Sequence, residues 1–379
     1  MADETIISAD SHMTEPPELW VERIDKAFRD RAPRVVVQEH QGKRGHWFVC
    51  EGLEPRSVAG TFAAGKTPEE LAAFQKAGYE AARPGGWDPA ERLKDMAIDG
   101  VAAEVLYTTL GFRLFGLTDA PFQAAIFRSY NDWLAEFCRY DPKKFAGLAL
   151  ISLLEIDEGV REIQRSARLG LKGAMIMASP PEGRDYREPI YDPFWAAAQD
   201  LQMPLSLHTS TGHARESRYN VNRYMRAMTL PHETQRTLTT LIFSGVLERF
   251  PGLLIVSAEN DIGWIAHYLY RADFTAQKFR YTDPAPIKLL PSGYFQRQIF
   301  ATFMDDPVGI ANWAFTGRDN FMWASDYPHT LATWPHSRDV IARDFKGVPD
   351  DVKSKMVGET AAKLYGLHIN GGGSWPRRS

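Results

Sequence analysis

A (β/α)8 barrel, a parallel α/β sheet closed on itself, is the fold this sequence predicts, and three observations predict it. Short apolar runs rich in branched or aromatic residues recur along the 379-residue chain, with amphipathic stretches of helical period between them. Strands alternating with helices build parallel βαβ units. Eight runs are found, the number that closes a barrel rather than leaving an open sheet.

In chain order the runs are Ile6–Asp10, Val101–Tyr107, Ala146–Ser152, Gly173–Met177, Leu205–His208, Leu253–Ala258, Gln298–Thr302 and Phe321–Ser325. Most follow a turn signal such as Asp99-Gly100 or Pro251-Gly252. Helices are expected over Pro121–Arg139, Ile156–Leu169, Pro193–Leu201, His232–Phe250 and Trp264–Lys278. The segment 34–86 breaks the rhythm. Val35-Val36-Val37 and Trp47-Phe48-Val49, parted by the polar Glu39–Arg44, read as a hairpin, and a helical piece follows at Thr67–Ala82. An insertion between the first two strands lies over the barrel's C-terminal mouth, where long loops often serve as lids. The expected organisation is one barrel domain over residues 1–369, carrying a lid at 34–86. A glycine-rich tail, expected to be flexible, follows at 370–379.

Composition narrows the function. Hydrophobic residues make up 44% and charged residues 24%, as in an ordinary soluble protein. The net charge of −4 gives no pull toward nucleic acid or an anionic membrane, and no apolar run approaches the roughly 20 residues of a membrane span. Cys50 and Cys138 allow at most one disulfide, and Met1–Glu4 is acidic with no signal-peptide core. The cytoplasm is the expected home, with a small organic acid as partner and a homo-oligomer, dimer or tetramer, as assembly. The ten tryptophans and the 12% aromatic content fit a large core first and an aromatic ligand pocket second.

The chemistry concentrates at strand ends. Asp10 and His12 are two apart at the end of the first run, so on a strand they face the same way. His208 closes the fifth run, Glu259 the sixth and Asp326 the eighth. In a parallel barrel these C-terminal ends form the active-site rim. Singly, a histidine after a strand is usually a hydrogen-bonded structural residue, and the aspartate of Ser-Asp-Tyr-Pro a turn former. Five ligand-type residues at one rim instead predict a divalent metal site suited to zinc, manganese or iron, with one ion or two.

These motifs resemble a known family. Asp10-Ser11-His12 with Glu15-Pro16 and Trp20, Trp87-Asp88-Pro89 through Met96, Asp99-Gly100-Val101, Ser325-Asp326-Tyr327-Pro328-His329 and the closing Gly358–Leu367 are similar to the amidohydrolase 2 branch of the amidohydrolase superfamily. That branch includes the aminocarboxymuconate-semialdehyde, γ-resorcylate and 5-carboxyvanillate decarboxylases. The resemblance implies that Asp10, His12, His208 and Asp326 bind the metal. It also implies a histidine at the end of strand six, where this chain has Glu259.

That departure shapes the functional expectation. Glu259 either ligates or bridges a cation, since three carboxylates at one mouth need compensating charge, or it pairs with an arginine or orients a ligand histidine. The first expectation is a metal-dependent hydrolase cleaving an ester, thioester, amide or lactone. Asp326 is its general base, and His329 or His213 its acid. Arg215, Arg218 and Arg223, on the loop after His208, are expected either to be solvated or to clamp a substrate carboxylate. The alternative is a non-oxidative decarboxylase of an aromatic or muconate-type acid. A metal-retaining scaffold without turnover is the third reading.

Overall fold

The computed structural model describes residues 4–58, 61–212, 223–317 and 319–367. Eight parallel strands among them run in one sheet in chain order: β1 (Ile6–His12), β2 (Val101–Tyr107), β3 (Phe145–Leu150), β4 (Gly173–Ile176), β5 (Leu205–His208), β6 (Ile255–Ala258), β7 (Ile299–Phe303) and β8 (Phe321–Trp323). Every run predicted from the sequence is a strand, with ends displaced by three residues or fewer. Closure uses backbone just beyond β8, because that strand is only three residues long. The amide of Asp326 donates to the Asp10 carbonyl (3.0 Å), and that of His12 to the Tyr327 carbonyl (2.6 Å). The (β/α)8 barrel expectation therefore stands.

Almost every residue of the eight strands is buried, as expected of strands covered by helices outside and side chains within. The helices begin and end where local chemistry dictates. Asp88 caps Pro89–Asp99 by accepting the amides of Ala90 and Glu91 (2.8 and 3.1 Å), and Gly100 ends that helix in the left-handed region (φ 71°). The expected helix at His232–Phe250 is instead Arg223–Phe243, with Pro231 inside it, followed after Gly245 by the short Val246–Arg249. Pro231 directly precedes the expected start, and the helix begins eight residues before it.

The inserted segment forms an antiparallel sheet of Arg34–His40, Lys43–Cys50 and Leu53–Ser57. The polar stretch between the first two strands is itself paired. Only Gln41 and Gly42 make the turn, both at positive φ (51° and 72°), as in a type I′ hairpin. The third strand was not predicted; Pro55 and two charged residues hide it. The helix expected to run to Ala82 stops at Ala77, because Gly78 (φ 58°) breaks it into a 3-10 turn.

One buried ion pair ties the rim together. Arg92, fully buried, donates from Nε to Glu104 Oε2 (2.6 Å) and from Nη1 to the His12 carbonyl (2.8 Å). Its guanidinium lies 4.6 Å from the centre of the Tyr327 ring. One cation thus pins the end of β1 to the segment after β8. This gives the Trp87–Met96 motif a structural role.

Candidate metal centre

Four of the predicted ligands meet at the C-terminal rim. A bulge in β1 pairs Ser8 with Glu104 and Ser11 with Leu106, adding one residue and re-aiming the strand end. Asp10 and His12 both emerge buried and facing the barrel axis side, with His12 Nε2 3.3 Å from Asp10 Oδ1 and 3.1 Å from Asp326 Oδ1. His208 Nε2 lies 3.5 Å from Asp10 Oδ1 and 3.3 Å from Glu259 Oε2.

The buried atoms Asp10 Oδ1, His12 Nε2, His208 Nε2 and Asp326 Oδ1 crowd together, yet none makes a hydrogen bond of good geometry. Orphaned buried polar atoms are costly, and a shared cation satisfies all four at once. Bonds of ~2.0–2.2 Å to one ion place neighbouring donors roughly 3.0–3.4 Å apart; the His12 contacts to Asp10 and Asp326 (3.3 and 3.1 Å) have that spacing and the His208 contact to Asp10 (3.5 Å) is close to it. The opposite ring nitrogens are already engaged. His12 Nδ1 donates to the Thr108 carbonyl (2.8 Å) and His208 Nδ1 to the Thr209 carbonyl (2.8 Å), leaving both Nε2 lone pairs facing the centre.

Electrostatics agree. Burial disfavours the Asp10 carboxylate, but the His208 and His12 imidazoles outweigh it and hold its pKa below the ordinary value. Asp326 is likewise lowered, against burial, by His329 and His12. Burial pushes His12 and His208 down, and the facing carboxylates override it, raising both, His12 strongly. Without a cation the cluster therefore collects protons.

Two acidic positions carry backbone strain. Glu259 and Asp326 directly follow or nearly follow their strands, and both sit in the left-handed region (φ 52° and 60°), where residues with a Cβ are uncommon. Thr302 Oγ1 holds Glu259 by accepting its amide (2.9 Å) and donates to Asp10 Oδ2 (3.1 Å). The Glu259 side chain keeps 39% of its surface open to solvent, with protein packed around the rest. Those surroundings, and then the Asp326 charge, raise its pKa to about 8.

His329 joins the same cluster. Its Nδ1 is 2.8 Å from Asp326 Oδ1, its Nε2 3.0 Å from Thr109 Oγ1, and its ring stacks on His12 at 3.9 Å between centres. The expected His213, Arg215 and Arg218 lie outside the described residues, and Arg223 opens its helix with a side chain that is also outside them. Sequence reasoning missed Phe112, whose half-buried ring stacks on His208 (4.4 Å, 26°), and it missed Thr108 and Thr109 beside the histidines. Both threonines directly follow β2, the one signal that could have flagged them.

A parallel barrel with imidazoles and carboxylates converging at its C-terminal rim defines the class: a barrel enzyme with a candidate metal site. The family follows. A family model described as amidohydrolase matches residues 10–367, so the chain belongs to the amidohydrolase 2 family, the branch its motifs resemble. Among curated relatives, it is 24% identical to 2-amino-3-carboxymuconate-6-semialdehyde decarboxylase of Dictyostelium discoideum over 75% of this chain and 78% of that one. It is 26% identical to γ-resorcylate decarboxylase of Rhizobium radiobacter over 62% and 76%. Among solved structures, an amidohydrolase from Mycobacterium avium subsp. paratuberculosis superposes with TM-score 0.76 (20% identity, 98% and 100% coverage). The 5-carboxyvanillate decarboxylase of Novosphingobium aromaticivorans, complexed with manganese and 4-hydroxy-3-methoxy-5-nitrobenzoic acid, superposes at 0.67 (22% identity, 96% of each chain).

These relatives correct the sequence reading. Hydrolysis was expected because Glu259 replaces a histidine, yet the curated relatives are named as decarboxylases, and the hydrolase expectation is withdrawn. A single side chain at one strand end is weak ground for assigning the reaction. No helix among the described residues is long and apolar enough to cross a membrane.

Proposed function

We propose that this protein is a metal-dependent, non-oxidative decarboxylase of a small aromatic or muconate-type acid. The observation that carries the reading is the convergence of four orphaned donor atoms, from Asp10, His12, His208 and Asp326, in a chain whose relatives are decarboxylases. Manganese is the proposed ion, after the manganese-bound structures of similar fold. A single ion is proposed because the two ligand clusters, Asp10–His12–His208 and His12–Asp326–His329, share His12. When bound, the divalent ion supplies positive charge that draws in the substrate's carboxylate and an adjacent oxygen.

The chain's own residues do the rest. Phe112 forms an apolar wall beside His208, suited to a flat, conjugated substrate. The His329 ring is held between Asp326 Oδ1, 2.8 Å from its Nδ1, and Thr109 Oγ1, 3.0 Å from its Nε2. In the reaction the C–C bond to the carboxylate breaks, carbon dioxide leaves, and the electron pair stays on the substrate carbon. That carbon takes a proton from His329, which solvent then replenishes. Glu259 stands as a fifth donor beside His208.

The test is turnover of carboxylated phenols, γ-resorcylate and 5-carboxyvanillate first, by manganese-loaded protein in deuterated water. Carbon dioxide release with one deuterium at the vacated carbon is expected. Absence of metal-dependent carbon dioxide release across such acids would remove the reading.

A further inference from the structure

Glu15 has no place in the proposed chemistry, yet it is fully buried directly beyond β1, and burying a carboxylate is costly unless it is paired or thoroughly hydrogen-bonded. Among the described residues no cation answers it. It accepts instead from one turn: Oε1 from the hydroxyl of Thr108 and the amides of Thr109 (3.0 Å) and Gly111 (3.4 Å), and Oε2 from the amide of Leu110 (3.0 Å). Four donors from four consecutive residues face one carboxylate. The turn is built to be this tight, since a Cβ on Gly111 would come within 2.2 Å of Thr108 Oγ1.

The same four residues and their neighbour touch three imidazoles of the metal centre. The Thr108 carbonyl receives the Nδ1 proton of His12 (2.8 Å), Thr109 Oγ1 meets His329 Nε2 (3.0 Å), and the Phe112 ring packs on His208 (4.4 Å). The inserted segment reaches the same point, because Tyr79 donates its hydroxyl proton to the carbonyl of Glu15 (2.7 Å).

We infer that Glu15 is a positioning residue for the metal centre: its carboxylate holds the Thr108–Gly111 turn, and through that turn sets the orientation of His12, His329 and His208. The inference rests on the metal reading above. Exchanging Glu15 for Gln keeps the shape but turns an NH2 group toward an amide donor, so one buried amide loses its acceptor and the turn shifts. Partners behind ligand histidines typically govern metal affinity by ~10–100-fold.

The experiment is a titration of metal-free protein with manganese alone, following the free-ion electron paramagnetic resonance signal. Glu15→Gln is run beside Thr108→Val, a milder variant that removes one hydroxyl donor and no charge. Folded fraction is fixed in parallel from the unfolding midpoint. Expected are a tenfold or greater loss of manganese affinity per folded molecule in E15Q. T108V should show a smaller loss, and both should show altered zero-field splitting of the bound ion. Should E15Q not fold, the shift in T108V decides alone. Native affinity and an unchanged spectrum in the folded variants, beside a wild type that binds, would overturn the positioning role and leave the metal reading intact. A wild type that binds no manganese would overturn the metal reading and this inference with it.

Discussion

The two sides of the barrel rim are built differently. On the β1–β8 side, Asp10, His12 and Asp326 are buried, bonded backbone to backbone, and held by Arg92 and Glu104. On the β5–β6 side, His208 is buried but Glu259 beside it is open to solvent. Open too is the sequence position: the family resemblance puts a histidine where this chain has Glu259. The β1–β8 side is fixed by many contacts, whereas Glu259 on the β5–β6 side keeps an open side chain.

Breaking the fixed side should cost most. Arg92→Met strands Glu104 in a buried setting without its partner, and a loss of about 3–5 kcal/mol in unfolding free energy is expected from chemical denaturation. A loss below about 1 kcal/mol would mean the pair does not fasten the rim. On the open side, Glu259→Gln should weaken manganese binding by about tenfold with little change in the denaturation midpoint, read by calorimetric titration. Unaltered affinity would remove Glu259 from the donor set. Removing the Phe112 ring with Phe112→Ala should raise KM for an aromatic acid by roughly 2–10-fold, the equivalent of ~0.5–1.5 kcal/mol of ring contact, and leave metal affinity near that of wild type.

The smallest expected effect is a pH dependence. His12 and His208 are held above the ordinary imidazole value of 6.5, and Glu259 is raised to about 8. In the ion-free protein these groups keep protons that a cation must displace, so acid competes with metal. Manganese affinity should therefore climb as pH rises from 6.5 to about 8, with protons released on binding; a flat profile would show that the ligands are already unprotonated.

Much of this was legible in the sequence, because barrel strands are short apolar runs and parallel topology sends their ends to one rim. Asp10, His12, His208 and Asp326 needed only that rule. What escaped depends on contacts between distant segments. Glu15 stood in a quoted motif, but its partners at 108–111 are roughly a hundred residues away, and no local pattern reveals a carboxylate turned into a turn's amides. Phe112 reads as one more core aromatic until His208 is placed against it. The third strand of the inserted sheet was hidden because Leu53–Ser57 contains a proline and alternates charge with partly buried positions. The reaction itself was misjudged from Glu259 alone, since one residue on the open side says less about chemistry than the four that converge at the rim.

The most direct measurement is metal analysis of manganese-reconstituted protein beside the single variants His12→Ala, His208→Ala and Asp326→Ala. One ion per chain is predicted for the wild type, falling to about a tenth or less in each variant, because ligands from three separate strand ends serve the same cation. Full loading in any one of the three variants, or none in the wild type, would contradict the shared centre.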